Sequence, residues 1–384
     1  MIKKLSIKKI ILGVSLIFLV ALLSITILKK LDLKKDNASR ELIDLGNSTP
    51  EKVLSELTLE EKVGQMFIIG FWGTKSDYYI TKWLNERNLG GVILLSYNIK
   101  SRDQIQTLIS DLQELSKNTN PNISLFISTD QEGGTVNRVK VDGFSEFTAQ
   151  SSIKSYDSAY AIAKIRGSEL KTVGFNMNFS PVLDFIKNPK SILYSRVFRG
   201  TIEDVSNLGN GMILGYVDSG IIPVAKHFPS HPDNEVDPHE DLPISELSKN
   251  SLLLNVSPFQ SAIKQNTPIM VGHISYPNID SEFASSLSET IITEILRNDL
   301  GFRGVLITDD LEMGALSKNL SVEQIAKQAV IAGNDILLFS STPQKYADAY
   351  NAIIDAVKKG EIPESIIDNS VLRILKLKKD FLYK

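Results

Sequence analysis

Eight short apolar runs, separated by longer helical patterns, constrain the fold of this chain more than any other feature. The runs are continuous and rich in Ile, Val, Leu and Phe, which indicates strands buried on both faces of a parallel sheet. Such βα alternation predicts an α/β fold, a (β/α)8 TIM-type barrel formed by a single domain. The predicted strands are Met66–Phe71, Val92–Ser96, Leu125–Thr129, Phe175–Pro181, Pro223–Phe228, Ile269–Ile274, Gly304–Thr308 and Asp335–Ser340.

Amphipathic stretches between the runs predict helices, among them Ser101–Ser116, Ser151–Val173, Ile202–Ser219, Pro258–Lys264, Ser288–Asn298 and Ser321–Ala332. A doubly wound open sheet is the competing interpretation. Dinucleotide-binding sheets of that kind carry a Gly-x-Gly-x-x-Gly turn after an early strand, and this chain has none there. A dinucleotide site therefore has no support.

The N-terminus predicts a membrane anchor. Residues 1–9 are basic, and residues 10–28 form an uncharged apolar segment long enough to span a bilayer as a helix. The segment is longer than a typical cleavable signal core and no clean cleavage site follows, so we expect an uncleaved, single-pass anchor. Residues 29–50 predict a polar tether and residues 51–384 the barrel, which we expect outside the cytoplasm of the cell. Lysines on both sides of the span weaken the orientation argument.

Composition excludes several classes of protein. The net charge is −3 and the body of the chain has no strongly basic region, so nucleic acid is not an expected partner. The chain has no cysteine, which excludes disulfides, a thiolate nucleophile and a cysteine-based zinc site. It also lacks a Gly-x-Ser-x-Gly elbow and a His-Glu-x-x-His helix, so neither a serine hydrolase nor a zinc peptidase is indicated.

Polar residues cluster where the predicted strands end. They are Asp130 with Arg138 after strand three, Asp184 after strand four, Lys226 and His227 after strand five, His273 in strand six, and Asp309 and Asp310 after strand seven. A single carboxylate in such a place is often a helix N-cap. Because barrel strands all end at the face that carries the active site, clusters on successive strands predict one shared site.

Three of the four histidines lie within residues 227–239. The last of them belongs to an Asp237-x-His239 pair on a proline-broken loop. Such pairs are commonly solvated, but a carboxylate beside an imidazole also suits proton transfer near neutral pH. Carboxylates, arginines and a lysine without a metal-binding pattern suit recognition of sugar hydroxyls and stabilisation of an oxocarbenium-like transition state.

Several long motifs resemble glycoside hydrolase family 3, in particular its bacterial β-N-acetylglucosaminidase (β-hexosaminidase) branch. They are Asp-Gln-Glu-Gly-Gly-x-Val-x-Arg from Asp130, Lys-His-Phe-Pro-x-His from Lys226, the Asp237-x-His239 loop and Thr-Asp-Asp-Leu-x-Met from Thr308. The resemblance extends in order from Leu57 to Leu377. It implies a barrel glycosidase with no cofactor and no metal, acting on glycans with a terminal N-acetylglucosamine.

The resemblance also implies roles for individual residues. Asp309 matches the catalytic nucleophile, His239 the general acid/base and Asp237 its supporting carboxylate. The residues that match the binding site for the terminal sugar are Asp130, Arg138, Arg196, Lys226 and His227. The Arg196 match is looser, and Arg199 is an alternative in the same motif.

Four neighbouring residues are expected to support the site rather than react. Asp310 is predicted to be structural, as a helix cap or as a support for the reacting carboxylate. We expect His273 and Asp184 to line or brace the site, and His231 to brace its loop in preference to a catalytic role. The chain also has Ser230-His231-Pro232 where the family usually has Gly-His-Gly, which predicts a stiffer loop or one shaped for a different substrate.

The function implied is a retaining β-N-acetylglucosaminidase acting on cell-wall (peptidoglycan) fragments. Other β-glycosidases of the family usually lack the Asp-x-His loop, so a β-glucosidase or β-xylosidase is disfavoured. A phosphorylase that uses phosphate in place of water remains open, as does a non-catalytic membrane-tethered glycan-binding protein.

Overall fold

The computed structural model describes residues 43–237, 241–317 and 320–383. The predicted membrane span at residues 10–28 lies outside these residues, as do its basic flank, the tether up to residue 42, and His239. Within the described ranges, no helix combines the length and the apolar character needed to cross a bilayer.

A parallel sheet forms the centre of the described chain. Its nine strands run in the order β7-β6-β3-β2-β1-β11-β10-β9-β8, and every neighbouring pair is parallel. The strands are β1 Phe67–Ile69, β2 Gly91–Ile93, β3 Phe126–Thr129, β6 Met177–Asn178, β7 Ile222–Pro223, β8 Ala225–Phe228, β9 Ile269–Val271, β10 Leu306–Asp310 and β11 Ile336–Phe339. A separate antiparallel hairpin consists of β4 Gln131–Gly133 and β5 Val136–Asn137.

The sheet curls until it is nearly closed. Its two outer strands, β7 and β8, are consecutive in the chain and only Val224 separates them. The N–H of Val224 donates to the carbonyls of Asn178 (3.0 Å) and Ser180 (3.2 Å), while Ala225 N donates to Pro268 O at 3.0 Å. One predicted strand therefore pairs with β6 at its start and with β9 at its end. The expected barrel-like α/β fold is confirmed, and the open doubly wound alternative is wrong.

Helices follow most of the strands. The α-helices are Pro50–Glu56, Leu59–Gln65, Tyr78–Arg87, Arg102–Lys117, Tyr156–Thr172, Ile202–Asp218, Lys249–Asn255, Gln260–Gln265, Gly314–Ser317, Val322–Ala332, Pro343–Lys358 and Glu364–Leu382, with a π-helix at Thr290–Asp299. Short 3₁₀ turns occur at Ser96–Asn98, Gln150–Ser152, Ser257–Phe259 and Ser285–Leu287. Several helices begin where a side chain satisfies a free N–H group, as at Thr201, whose hydroxyl accepts from Asp204 N.

The parallel arrangement decides where a site can form. Because all strands of the sheet point the same way, their carboxyl ends open onto one face. The hairpin β4–β5 follows β3 directly and therefore begins at the same face. The polar residues that the sequence places after the strands consequently converge there.

Candidate active site

A cavity of about 350 Å³ opens at the carboxyl ends of the strands. Its volume lies at the lower end of the roughly 300–1,000 Å³ that small-molecule sites occupy, which suits one sugar residue. Six of the eight residues predicted for the site line it: Asp130, Arg138, Arg196, Lys226, His227 and Asp309. Asp237 does not line it, and His239 lies outside the described residues.

Four charged side chains form a paired network in the cavity wall. Lys226 Nζ lies 2.6 Å from Asp130 Oδ1 and 2.7 Å from Glu132 Oε1. Arg196 donates to Glu132 through two nitrogens, Nε to Oε2 at 2.9 Å and Nη2 to Oε1 at 2.7 Å. Such a two-pronged contact fixes the orientation of the guanidinium. Two cations and two carboxylates thus hold one another in place beside the cavity.

Mutual attraction keeps this network ionised although it is buried. Burial acts to raise the pKa of Glu132. The charges of Arg196 and Lys226 act in the opposite direction and have the larger effect, so the pKa lies well below its usual value. Burial acts in the opposite sense on Lys226, yet Asp130 and Glu132 raise the pKa of its ammonium group. At neutral pH the cavity therefore presents fixed charges and oriented hydrogen-bonding groups.

Asp184 braces two histidines through four hydrogen bonds. Its Oδ2 accepts from the backbone N–H of His227 (3.0 Å) and contacts His227 Nδ1 (2.8 Å). Its Oδ1 does the same for His231, at 2.7 Å and 3.0 Å. Burial opposes the ionisation of Asp184, but the two histidines outweigh it and hold the pKa well below its usual value. With Asp184 ionised, each Nδ1 is the donor, so each Nε2 is the ring nitrogen left for other contacts.

The two histidines of this brace both line the cavity. His227 lines the cavity, as predicted, and burial lowers the pKa of its ring. His231 also lines it, while Asp184 fixes its loop, in line with the expected bracing role. Among the described atoms, His231 Nε2 is buried and has no hydrogen-bond partner.

Asp309 is the last residue but one of β10 and lines the cavity. Burial acts to raise the pKa of this carboxyl, but His227, His273, the N–H of Asp310 and Lys226 favour the charged form, and the pKa lies below its usual value. Burial also lowers the pKa of His273, so that ring is neutral near pH 7. Asp309 is therefore a carboxylate, the form that a nucleophile requires.

Asp310 has a different environment from its neighbour. Its Oδ1 accepts from the N–H groups of Glu312 (3.0 Å) and Ser340 (3.3 Å), and its carbonyl contacts His273 Nε2 at 3.0 Å. It therefore ties the loop after β10 to the end of β11 and is not the cap of a helix. Burial raises the pKa of Asp310 to about 6, in contrast to Asp309.

The loop after β8 carries the chain's departure from the family motif. Ser230 has φ +106°, a conformation that favours glycine. Its Oγ accepts from Phe185 N at 3.2 Å, and its carbonyl accepts from Tyr276 Oη at 2.5 Å. The turn therefore keeps a backbone conformation typical of glycine, although serine occupies the position. Beyond this turn, Asp241 N donates to Asp237 O at 2.9 Å, across the residues that include His239.

The arginine alternatives separate clearly. Arg196 lines the cavity, whereas Arg199 lies over the ring of Tyr194, 3.2 Å from its centroid, and does not line the cavity. Arg138 also lines it, and within the described part of the chain its buried Nε has no hydrogen-bond partner.

Glu132 is the site residue that the sequence argument missed. It is 1% exposed and joins Lys226 to Arg196. The signal was present, because Asp130 and Glu132 are two residues apart and side chains alternate along an extended chain. Two acidic residues with that spacing after a buried strand point to the same side.

One group of three side chains within the described ranges could hold a metal ion, namely Asp184, His227 and His231. One potential ligand atom of each lies within 4.8 Å of the others. Both oxygens of Asp184 already accept hydrogen bonds from the two histidines. The arrangement consequently serves as a brace in this structure.

Comparisons with known proteins identify the family of this chain. The glycosyl hydrolase family 3 N-terminal domain matches residues 58–377. "Beta-hexosaminidase A" from Pseudoalteromonas piscicida is 30% identical over 326 residues, which cover 78% of this chain and 54% of that protein. "Beta-hexosaminidase" from Alkalilimnicola ehrlichii is 31% identical over 288 residues, covering 72% of this chain and 81% of that protein.

Among solved structures, a glycoside hydrolase family 3 β-N-acetylglucosaminidase from a Paenibacillus species superposes with a TM-score of 0.81 at 36% identity. The match covers 85% of this chain and 63% of that one. Of the relatives compared by sequence, the Pseudoalteromonas protein is matched over about half of its length, 54%. The resemblance seen in the motifs is confirmed, and the chain belongs to glycosyl hydrolase family 3, a family of glycoside hydrolases.

Proposed function

We propose that this chain is a retaining β-N-acetylglucosaminidase that removes terminal β-linked N-acetylglucosamine from glycans. The observation that carries the proposal is the cavity in which an ionised Asp309 lies with the Lys226–Glu132–Arg196 network. Fixed donors and acceptors of this kind suit the hydroxyl groups of one sugar ring. Names of relatives point to the same substrate class, since two curated proteins are beta-hexosaminidases and a solved one is a β-N-acetylglucosaminidase.

In the first half-reaction, a carboxylate oxygen of Asp309 attacks the anomeric carbon. The bond from that carbon to the leaving oxygen breaks, and His239 supplies the proton that the leaving oxygen needs. A covalent glycosyl–Asp309 ester results. The Lys226 cation and the N–H of Asp310, which donates to Asp309 Oδ1 at 2.8 Å, favour the carboxylate before attack and steady its orientation.

In the second half-reaction, water attacks the anomeric carbon and the bond to Asp309 breaks. His239 takes the proton of that water, so both groups return to their starting states and the configuration is retained. Asp237 orients the His239 ring, as the carboxylate does in a Ser-His-Asp triad. The assignments of His239 and Asp237 rest on the motif alone.

Hydrolysis of a chromogenic aryl β-N-acetylglucosaminide by the full chain tests the proposal. We expect release of the aryl group from this substrate and not from the matching β-glucoside, with no requirement for phosphate. Asp309→Ala should lower the rate by at least about 10³-fold, because it removes the nucleophile. Asp111→Ala, at an exposed position of the helix Arg102–Lys117, is the matched control.

Two results would contradict separate parts of the proposal. Equal turnover by Asp309→Ala and the unaltered chain would remove the nucleophile. Turnover that requires phosphate and yields a sugar phosphate would identify a phosphorylase instead.

We also infer that the natural substrates are cell-wall fragments that a membrane-anchored enzyme meets outside the cytoplasm. Support comes from the apolar, uncharged residues 10–28 and the basic residues before them. Alkaline carbonate extraction of membranes from cells that express the full chain tests the anchor. A membrane-spanning anchor should keep the protein in the membrane pellet.

A further inference from the structure

An exposed tryptophan stacks on a tyrosine beside the cavity. Trp72 is 62% exposed, and its ring lies against that of Tyr97 with centroids 4.2 Å apart and planes inclined by 19°. One face of the indole is therefore covered by the phenol, while most of the side chain remains in water. Isolated exposed apolar side chains are ordinary on protein surfaces, so the position and support of this one decide its meaning.

The stacked pair is connected to the cavity rim through Ser340. Trp72 follows β1 and Tyr97 follows β2, so both lie on loops at the carboxyl ends of strands. Tyr97 Oη donates to Ser340 O at 3.2 Å, and Ser340 lines the cavity. Gly70, two residues before Trp72, packs so closely that an added Cβ would lie 1.9 Å from the same carbonyl.

A buried asparagine holds the two loops together. Asn98 Nδ2 donates to the carbonyls of Phe71 (2.8 Å) and Gly73 (2.7 Å), which flank Trp72 on both sides. Its Oδ1 accepts from Leu95 N at 2.9 Å and so caps the turn that carries Tyr97. The indole is thus presented to solvent by a fixed backbone, which lowers the entropy lost when a ligand binds it.

We propose that Trp72 is a binding platform for the sugar ring that leaves, the one directly beyond the scissile bond. This inference rests on the proposed function and adds a binding position to it. A pyranose ring presents several C–H groups on one face, and an aromatic face that is fixed and solvent-exposed can cover them. A sugar at the rim is also the part of a glycan that continues outward once its terminal residue fills a cavity of about 350 Å³.

Contacts to a part of the substrate that does not react can lower the barrier of the chemical step. The platform should therefore matter for a substrate whose leaving group is a sugar and not for one whose leaving group has no ring. We compare the trisaccharide of β-1,4-linked N-acetylglucosamine with methyl β-N-acetylglucosaminide, using kcat/KM for release of N-acetylglucosamine by the full chain.

Trp72→Ala should lower kcat/KM about three- to tenfold on the trisaccharide and leave the methyl glycoside little affected. Trp72→Phe, which keeps an aromatic face, should restore most of the rate on the trisaccharide. Leu254→Ala is the matched control, because Leu254 is 74% exposed and does not line the cavity. It should change neither substrate.

An equal loss on both substrates would overturn the platform and make Trp72 a structural support of the cavity. No loss on either would overturn it as well. Binding keeps the test independent of catalysis: in an Asp309→Asn background, Trp72→Ala should weaken the trisaccharide and not the monosaccharide in calorimetric titrations. If the unaltered chain hydrolyses no N-acetylglucosaminide, the proposed function fails, and this titration still decides on the platform.

Discussion

Glu132 organises the charges of the cavity more than any other residue. It is buried between Lys226 and Arg196 and pairs with both cations, and an unpaired buried charge is costly. Removing one member of such a network typically costs about 3–5 kcal/mol. The network therefore holds its four side chains in a single arrangement before any sugar binds, which is the preorganisation that electrostatic stabilisation of a transition state requires.

Ser230 adopts a backbone conformation, at φ +106°, that glycine takes readily and L-residues rarely take. Such positions cost of the order of 1–3 kcal/mol. Ser230→Ala keeps that strain and loses the hydrogen bond from Phe185 N, so it should lower the free energy of unfolding by about 1 kcal/mol. Ser230→Gly loses the same bond but relieves the strain, so it should be at least about 1 kcal/mol more stable than the alanine variant. Urea titrations of both variants measure the difference.

The opposite order is expected at Ser168, which is exposed within the helix Tyr156–Thr172. There, alanine should be more stable than glycine by about 1 kcal/mol, because glycine is a poor helix former. If alanine were equal to or better than glycine at Ser230 too, the positive φ would carry no strain and the argument for that turn would fail.

At the scale of elements, apolar runs predict where strands lie but not where their hydrogen bonding stops. All eight predicted strands contain or overlap a strand of the sheet, yet Phe175–Pro181 pairs only over Met177–Asn178. Burial continues past the paired residues, because the carboxyl ends of the strands are covered by the loops that form the site. The break of the fifth predicted strand at Val224 cannot be predicted from the apolar pattern either, because it depends on pairing with two different neighbouring strands.

Helices show the same division. The predicted stretches Ile202–Ser219 and Ser321–Ala332 match Ile202–Asp218 and Val322–Ala332, because caps and periodicity are local signals. Ser151–Val173 begins too early, since Gln150–Ser152 is a separate 3₁₀ turn and Ser155 caps the helix that follows. Such a start is decided by a competition between two short-range hydrogen-bonding patterns.

The candidate site was predictable to the extent that it follows strand ends. Asp130, Lys226 and Asp309 meet because parallel strands bring their ends together. The pairing of Glu132, the four hydrogen bonds of Asp184 and the stacking of Trp72 are contacts between distant segments, so no local pattern carries them. Asp237 and His239 stay predictions, because His239 lies outside the described residues.

The whole barrel has two chemically different ends. At the carboxyl ends of the strands, buried charges are paired and face a cavity. At the opposite ends, Lys378 of the helix Glu364–Leu382 lies beside the starts of β1 and β2, where its Nζ donates to Gln65 Oε1 and Gly90 O, both at 2.8 Å. The same Nζ lies 4.9 Å from the ring centroid of Phe126, and Lys378 is fully buried. It shows no carboxylate partner among the described contacts.

Burial holds the pKa of Lys378 well below its ordinary value of 10.5. The unfolded chain therefore binds this proton over a range of pH in which the folded chain does not, and the stability of the protein rises with pH toward 10.5. Lys378→Met keeps a similar length without the titrating group, but it leaves two carbonyl oxygens without their donor. The free energy of unfolding of Lys378→Met at one pH reflects both the lost hydrogen bonds and the lost titrating group. Its pH dependence relative to the unaltered protein reports only the titrating group.

We expect the unaltered protein to gain stability relative to Lys378→Met as the pH rises from 7 to 10, by up to about 1.4 kcal/mol per pH unit. Free energies of unfolding from urea titrations at several pH values measure this difference, and other titrating groups cancel between the two proteins. Parallel curves would mean that Lys378 titrates alike in both states and so carries its charge inside the folded barrel. A stability difference that rises with pH would show that the barrel end opposite the cavity holds Lys378 as a neutral amine. Lys226, at the end that carries the cavity, is ion-paired instead.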